Sequence, residues 1–269
     1  MGKLSALTAL ARRKKAKAEL ASILSAQAQT VIVHYSCESF YDRKDGASPR
    51  ITSIAVRNVE NAQTKSFSIH QLAEVEHVNA AEIEADYDRL EKLMLDSFYD
   101  YVRQRQHWRW VHWNMRDINF GFPAIAHRYR VLKGTPVEIA ETQLFDLARV
   151  LIAIYGPGYA SHPRLESLMG MNKISARDFL VGAKEAEAFE KHEYVKLHQS
   201  TLRKVDIIAN ILSRVEGGTI KVNARGIDPI LLYPRAFVET AKEHWMISVL
   251  LPVLGILAAM FDVMKMLRS

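Results

Sequence analysis

The 269-residue chain contains a single cysteine, Cys37. One thiol forms neither an intramolecular disulfide nor a multi-cysteine zinc site, so a disulfide scaffold is excluded and a reducing, cytoplasmic setting is expected. Glycine and proline are sparse, at 12 and 8 residues, which excludes a collagenous chain. The sequence has no glycine-rich phosphate loop, no G-x-S-x-G elbow, no closely spaced His-x-x-x-His pair and no internal repeat. Arg12, Arg13, Lys14, Lys15 and Lys17 are followed by no continuous apolar stretch, so a secretory signal is not expected.

Against these absences stand 49% hydrophobic and 25% charged residues, enough for a sizeable core and too apolar for a wholly disordered chain. The formal charge of +6 suits an anionic partner, nucleic acid or membrane surface, without specifying a fold.

Periodicity divides the chain. Over residues 1–28, Leu4, Leu7, Leu10, Ala11, Ala18 and Leu20 recur near helical spacing and predict a basic amphipathic helix. It is either a solvated helix packed on the flank of the domain or a contact for membrane or nucleic acid. The segments 30–36, 51–57 and 64–70 are β-branched and separated by turn residues, and predict a meander of three antiparallel strands. Helical spacing takes over at 79–106, a short strand is expected at 108–113, and helices follow near 119–132, 138–153, 175–190 and 193–214. After a linker at 224–244, residues 245–261 carry no charge; at this length they approach the lower limit for a membrane span, with Trp245 at the margin. The segment 245–263 is therefore expected to be a transmembrane helix that tail-anchors residues 1–242 on the cytoplasmic face of a membrane. A helix buried in the core or in an oligomer is the alternative.

Three hairpin strands, a helix, a strand and further helices follow the order of a ribonuclease-H-like α/β fold. Three segments carry a resemblance to a known family: VHYSCESF (33–40), WVHWNMRDINFGF (110–122) and STLRKVDIIANIL (200–212). Between them lie LFDLARVLIAIYG (144–156) and HPRLESLMGM (162–171). By the order of these segments, residues 30–212 resemble the DEDD-type 3′–5′ exonucleases, with a nuclease-type domain over 29–223.

The resemblance implies phosphodiester hydrolysis with Mg²⁺ or Mn²⁺, in which carboxylates gather two ions about 3.5–4 Å apart. It puts Glu38, Asp117 and Asp206 in the metal cage. Each has an ordinary structural explanation as well. Glu38 sits at a strand end, Asp117 precedes a helix it could cap, and Asp206 has Arg203 and Lys204 nearby.

Two departures stand out. Ser36 occupies the place of the family's first aspartate, and Thr201 the place of the histidine five residues before its last one. His198, one helical turn upstream of Thr201, is the candidate replacement base, and Asp42 or Asp45 the candidate replacement acid. Trp113, Arg203 and Lys204 are candidate nucleic-acid contacts, through stacking and phosphate pairing, with Arg128, Arg130 and Lys133 as further cations for a basic groove. Two functions follow: a membrane-tethered, metal-dependent nuclease, or a catalytically inactive module of the same fold that binds DNA, RNA or a partner protein.

Overall fold

The computed structural model describes residues 2–38 and 48–223, with side chains from residue 8 onward. Asp42, Asp45 and the apolar segment 245–263 lie outside these residues. Among the described residues, no helix is long and apolar enough to cross a membrane.

The first long element is α1 (Gly2–Ser25). Three strands follow, β1 (Thr30–Cys37), β2 (Ile51–Asn58) and β3 (Thr64–Ser68). Next come α2 (Ile69–Val75), α3 (Tyr87–Arg103), β4 (Arg109–His112), α4 (Phe122–Val131), β5 (Leu144–Asp146) and α5 (Leu147–Tyr155). The last are α6 (Arg164–Met171), α7 (Gly182–Glu190) and α8 (Tyr194–Glu216). The five strands form one mixed sheet in the order β3-β2-β1-β4-β5. β2 lies antiparallel to β1 and β3, whereas β1, β4 and β5 run parallel. The chain is thus an α/β protein.

Helices cover both faces, which is why β1 is buried along its whole length and reads as a nearly continuous apolar run. Its odd residues Val31, Val33 and Tyr35 pack with Leu90, Met94 and Phe98 of α3 and Ile125 of α4. Ile32, Ala55 and Val111 face the other way, onto Leu147 and Leu151 of α5, Leu168 of α6 and Ile207 and Ile208 of α8. Period-two alternation assigns these faces. It also puts the even residues His34 and Ser36 on the α8 side, where polar groups must find partners inside the protein.

Three elements differ from the sequence expectation. β3 ends at Ser68, and Ile69 and His70 begin a helix, α2. The long helix starts only at Tyr87. Leu144–Asp146, which helical spacing includes in a helix over 138–153 and the resemblance sets in a strand region, forms the edge strand beside β4. Three residues are too few to show alternation, so the parallel pairing with Trp110–His112 identifies them as a strand. The buried stripe of α1 also differs. Ala16, Leu20 and Ile23 turn inward, while Ala11 and Ala18 are exposed. Tertiary docking against α5 selects this stripe.

On the α3 face, Glu91 is fully buried and clamped by Arg128, whose Nε lies 3.0 and 2.9 Å from the two carboxylate oxygens. The Ile51 N–H donates to the same carboxylate at 2.7 Å, so the pair ties α3, α4 and β2 together. Burial pushes the Glu91 carboxyl up to about 7, while Arg128 and the Ile51 N–H oppose the rise. Arg128 therefore lines no surface groove. Breaking such a pair strands a buried charge, so Arg128→Met should lower unfolding stability by about 3–5 kcal/mol. The double variant Arg128→Met/Glu91→Leu should recover most of that loss. Urea unfolding of the four proteins in this cycle checks both expectations.

Candidate functional site

The C-terminal ends of the parallel strands gather the buried polar groups. Ser36 on β1 lies opposite Ser53 on β2, and Thr201 of α8 sits over both. Ser53 Oγ and Thr201 Oγ1 are 2.6 Å apart, and Thr201 Oγ1 is 3.0 Å from Ser36 Oγ. Ser36 Oγ donates in turn to Glu185 Oε1 at 2.8 Å. Each hydroxyl carries one proton, so a consistent pattern runs from Ser53 through Thr201 and Ser36 to the Glu185 carboxylate. Ser200 Oγ also donates to Oε1, at 3.0 Å, and Lys204 Nζ lies 2.6 Å from Oε2. Ser36, Ser53, Glu185, Ser200, Thr201 and Lys204 are all buried. The Lys204 ammonium also lies 5.6 Å from the Phe179 ring centroid.

Beside this cluster is His34, whose Nδ1 has no hydrogen-bond partner among the described residues. Burial, then the positive charge of Lys204, then His112 hold its pKa well below the ordinary value. His112, at the end of β4, accepts the Met115 N–H at Nδ1 (3.2 Å), which puts its proton on Nε2. Burial takes its pKa down to about 4, although Asp146 pulls the other way. Asp146 stands opposite His112 in register and caps α5, accepting from Ala148 N at 3.0 Å and from Asn114 N at 3.3 Å. The Arg116 guanidinium pairs with its second oxygen.

The loop after β4 closes against β1. Gly121 N donates to Tyr35 Oη at 3.0 Å, and a Cβ on Gly121 would stand 2.5 Å from the Met115 carbonyl carbon. Only glycine permits that approach.

The structure does not bring Glu38, Asp117 and Asp206 together. Asp206 pairs with Arg57 at 3.0 Å, and Arg57 lies level with Ile32 of β1. Glu38 follows the far end of β1, roughly 20 Å further along the strand. It accepts the Arg50 N–H at 3.3 Å, beside an Arg50–Glu84 ion pair of 2.5 Å. Asp117 accepts the Asn119 and Phe120 N–H groups, both at 2.9 Å, so it closes its own loop. That loop docks on Tyr35, on the sheet face opposite α8. Among the described residues, no three His, Cys, Asp or Glu side chains are placed to hold a metal ion.

The other expected site residues are placed as follows. His198 is buried, packs with its ring centroid 5.0 Å from that of His70, and has its pKa taken down to about 4 by burial and then by His70. Trp113 is buried in the core with Val111 and Leu147, which removes its ring from any base stack. Lys204 is committed to Glu185 and is not a surface cation. Arg203 binds the Ser175 carbonyl through Nε and Nη2, at 3.2 and 2.5 Å.

His112 belongs to the segment WVHWNMRDINFGF that carries the resemblance, whereas Glu185, His34 and Asp146 are not marked as site residues by the sequence. Asp146 did carry a signal, as a capping acid before the run LARVLIA. Glu185 carried none, because its partners lie 15, 19 and 149 residues away. In comparisons with known proteins, no protein-family model, no curated protein and no solved structure matches the chain.

Two outcomes are expected. Ser36→Asp sets a second carboxylate against Glu185 and should cost at least about 3 kcal/mol in urea unfolding, whereas Ser36→Ala should cost about 1 kcal/mol. The second concerns pH. His34, His70, His112 and His198 all have folded pKa values below the ordinary 6.5. At these four histidines the unfolded chain therefore binds more protons between about pH 6.5 and 4, so their contribution to stability falls as pH drops through that window. Glu91, raised to about 7, acts in the opposite sense and offsets about one of the four. The urea midpoint should fall from pH 7.5 to pH 5, and less steeply in His112→Gln/His198→Gln; equal slopes would contradict the assignment.

Proposed function

We propose that the chain is a noncatalytic nucleic-acid-binding module built on a ribonuclease-H-like sheet. The strand order β3-β2-β1-β4-β5, with β2 alone reversed, supports that fold beyond the order of elements in the sequence. One observation carries the loss of catalysis. The two positions at which the sequence departs from the exonuclease pattern, Ser36 and Thr201, touch each other at 3.0 Å and are joined to the buried Glu185–Lys204 ion pair. The two departures are thus coupled in space.

The donors at this cluster do not fit Mg²⁺ or Mn²⁺. Neutral hydroxyls are poor ligands for hard cations, both oxygens of Glu185 are engaged, and the Lys204 ammonium already supplies the counter-charge. The reading of a nuclease inactivated at its centre keeps nucleic acid as the partner, which the net charge of +6 favours. In the same proposal the segment 245–263 tethers the module to the cytoplasmic face of a membrane.

The full-length protein should leave end-labelled single- and double-stranded DNA and RNA intact in Mg²⁺ or Mn²⁺, while still shifting at least one of them in a binding assay. Metal-dependent cleavage that disappears in Glu38→Ala or Asp117→Ala would overturn the reading. In the same preparations, release from membranes by carbonate would remove the tether.

A further inference from the structure

α1 carries six basic residues (Lys3, Arg12, Arg13, Lys14, Lys15 and Lys17) against one acid, Glu19. In the structure its inward stripe, Ala16, Leu20 and Ile23, is packed into the domain beside α5. Arg12, Lys14, Lys15 and Lys17 are exposed, as are Ala11, Ala18 and Ala21. At 100° per residue, Lys17 and Lys14 fall on one side of the Ala11–Ala18 line, and Lys15 and Arg12 on the other. The outer surface of the helix is therefore a low ridge of alanines with cations on both flanks. Of these cations, Lys15 approaches Glu19 at 4.0 Å, and Arg12 Nε donates to the Thr8 carbonyl at 3.3 Å.

We infer that this outer face of α1 is a docking surface for the sugar-phosphate backbone of a nucleic-acid duplex. The inference rests on the reading of the module as a nucleic-acid binder, and it places the contact on the N-terminal helix and not at the strand ends. Three physical arguments support it. Phosphate pairing by lysine and arginine provides sequence-independent affinity and requires no base contact. The small alanines let the helix backbone come close to a duplex, while the flanking cations reach phosphates on either side. A helix about 10–12 Å across also matches a major groove about 12 Å wide, so its exposed half can settle along the groove edges.

A bilayer is the less suited partner. A membrane-surface helix binds by burying a large apolar face among the headgroups. Here the apolar stripe is spent on the domain, and the exposed apolar residues between Ala11 and Ser25 are alanines only.

Fluorescence anisotropy of full-length protein with a labelled 20-base-pair duplex, titrated from low to physiological salt, tests this. Four phosphate contacts predict a slope of log K against log salt of about −3.6 from α1. The variant Arg12→Gln/Lys14→Gln/Lys15→Gln/Lys17→Gln should lose that part of the slope and bind at least tenfold more weakly, with an unchanged urea midpoint as the control for folding. If the wild type binds and the variant keeps both affinity and slope, α1 is not the surface, although the binding-module reading stands. If the wild type binds neither duplex nor single strand, both readings fall. If phosphatidylserine/phosphatidylcholine vesicles displace the duplex through the same four residues, the surface serves a membrane and the inference is overturned.

Discussion

The carboxylate of Glu185 is buried at the end of the central strand and has both oxygens occupied. Lys204 neutralises one, while Ser36 and Ser200 donate to the other. A buried charge of this kind is tolerated only when it is paired and hydrogen-bonded. Its partners come from β1 and α8, and it sits on α7, so the seating of two helices on the sheet depends on one side chain. The hydroxyl chain from Ser53 and Thr201 extends the same network to β2.

That arrangement also limits the chemistry. Two-metal hydrolysis needs several carboxylates free to face the ions. Among the described residues at the corresponding end of β1, the buried Glu185 carboxylate is saturated, and the cation beside it is the Lys204 ammonium. Glu38, Asp117 and Asp206 each do local work instead: one accepts the Arg50 N–H, one closes a loop, and one pairs with Arg57. The second buried pair, Glu91 with Arg128, repeats the same economy of charge on the α3 face. Acids and bases that sequence reading assigns to a nuclease centre or a basic groove are thus used to hold the fold.

α1 shows the converse case. It contributes Ile23 to the core through a narrow stripe, and leaves its cations outside. Between Ala11 and Ser25 the larger apolar residues are taken up by the domain and only alanines among the apolar residues are exposed, so electrostatics governs what this outer surface can bind. The basic face of α1 and the strand-end cluster are thus separate features of the protein, one set by exposed charge and the other by buried charge.

The sequence by itself determined the three antiparallel strands, the switch to helices and the strand near residue 110, because β-branched alternation and helical spacing are local patterns. It also marked Ser36 and Thr201 as departures. Its periodicity did not reveal α2, since Ile69 and His70 continue the apparent alternation of β3, nor β5, since three residues carry no period. The site was less legible than the fold. That Ser36 and Thr201 meet, that Lys204 is buried on Glu185, that Trp113 packs with Leu147, and that Asp206 pairs with Arg57 are contacts between residues distant in sequence. Spacing along the chain specifies which face of an element a side chain occupies. Only the packing of the elements against one another decides what waits on the other side of that face.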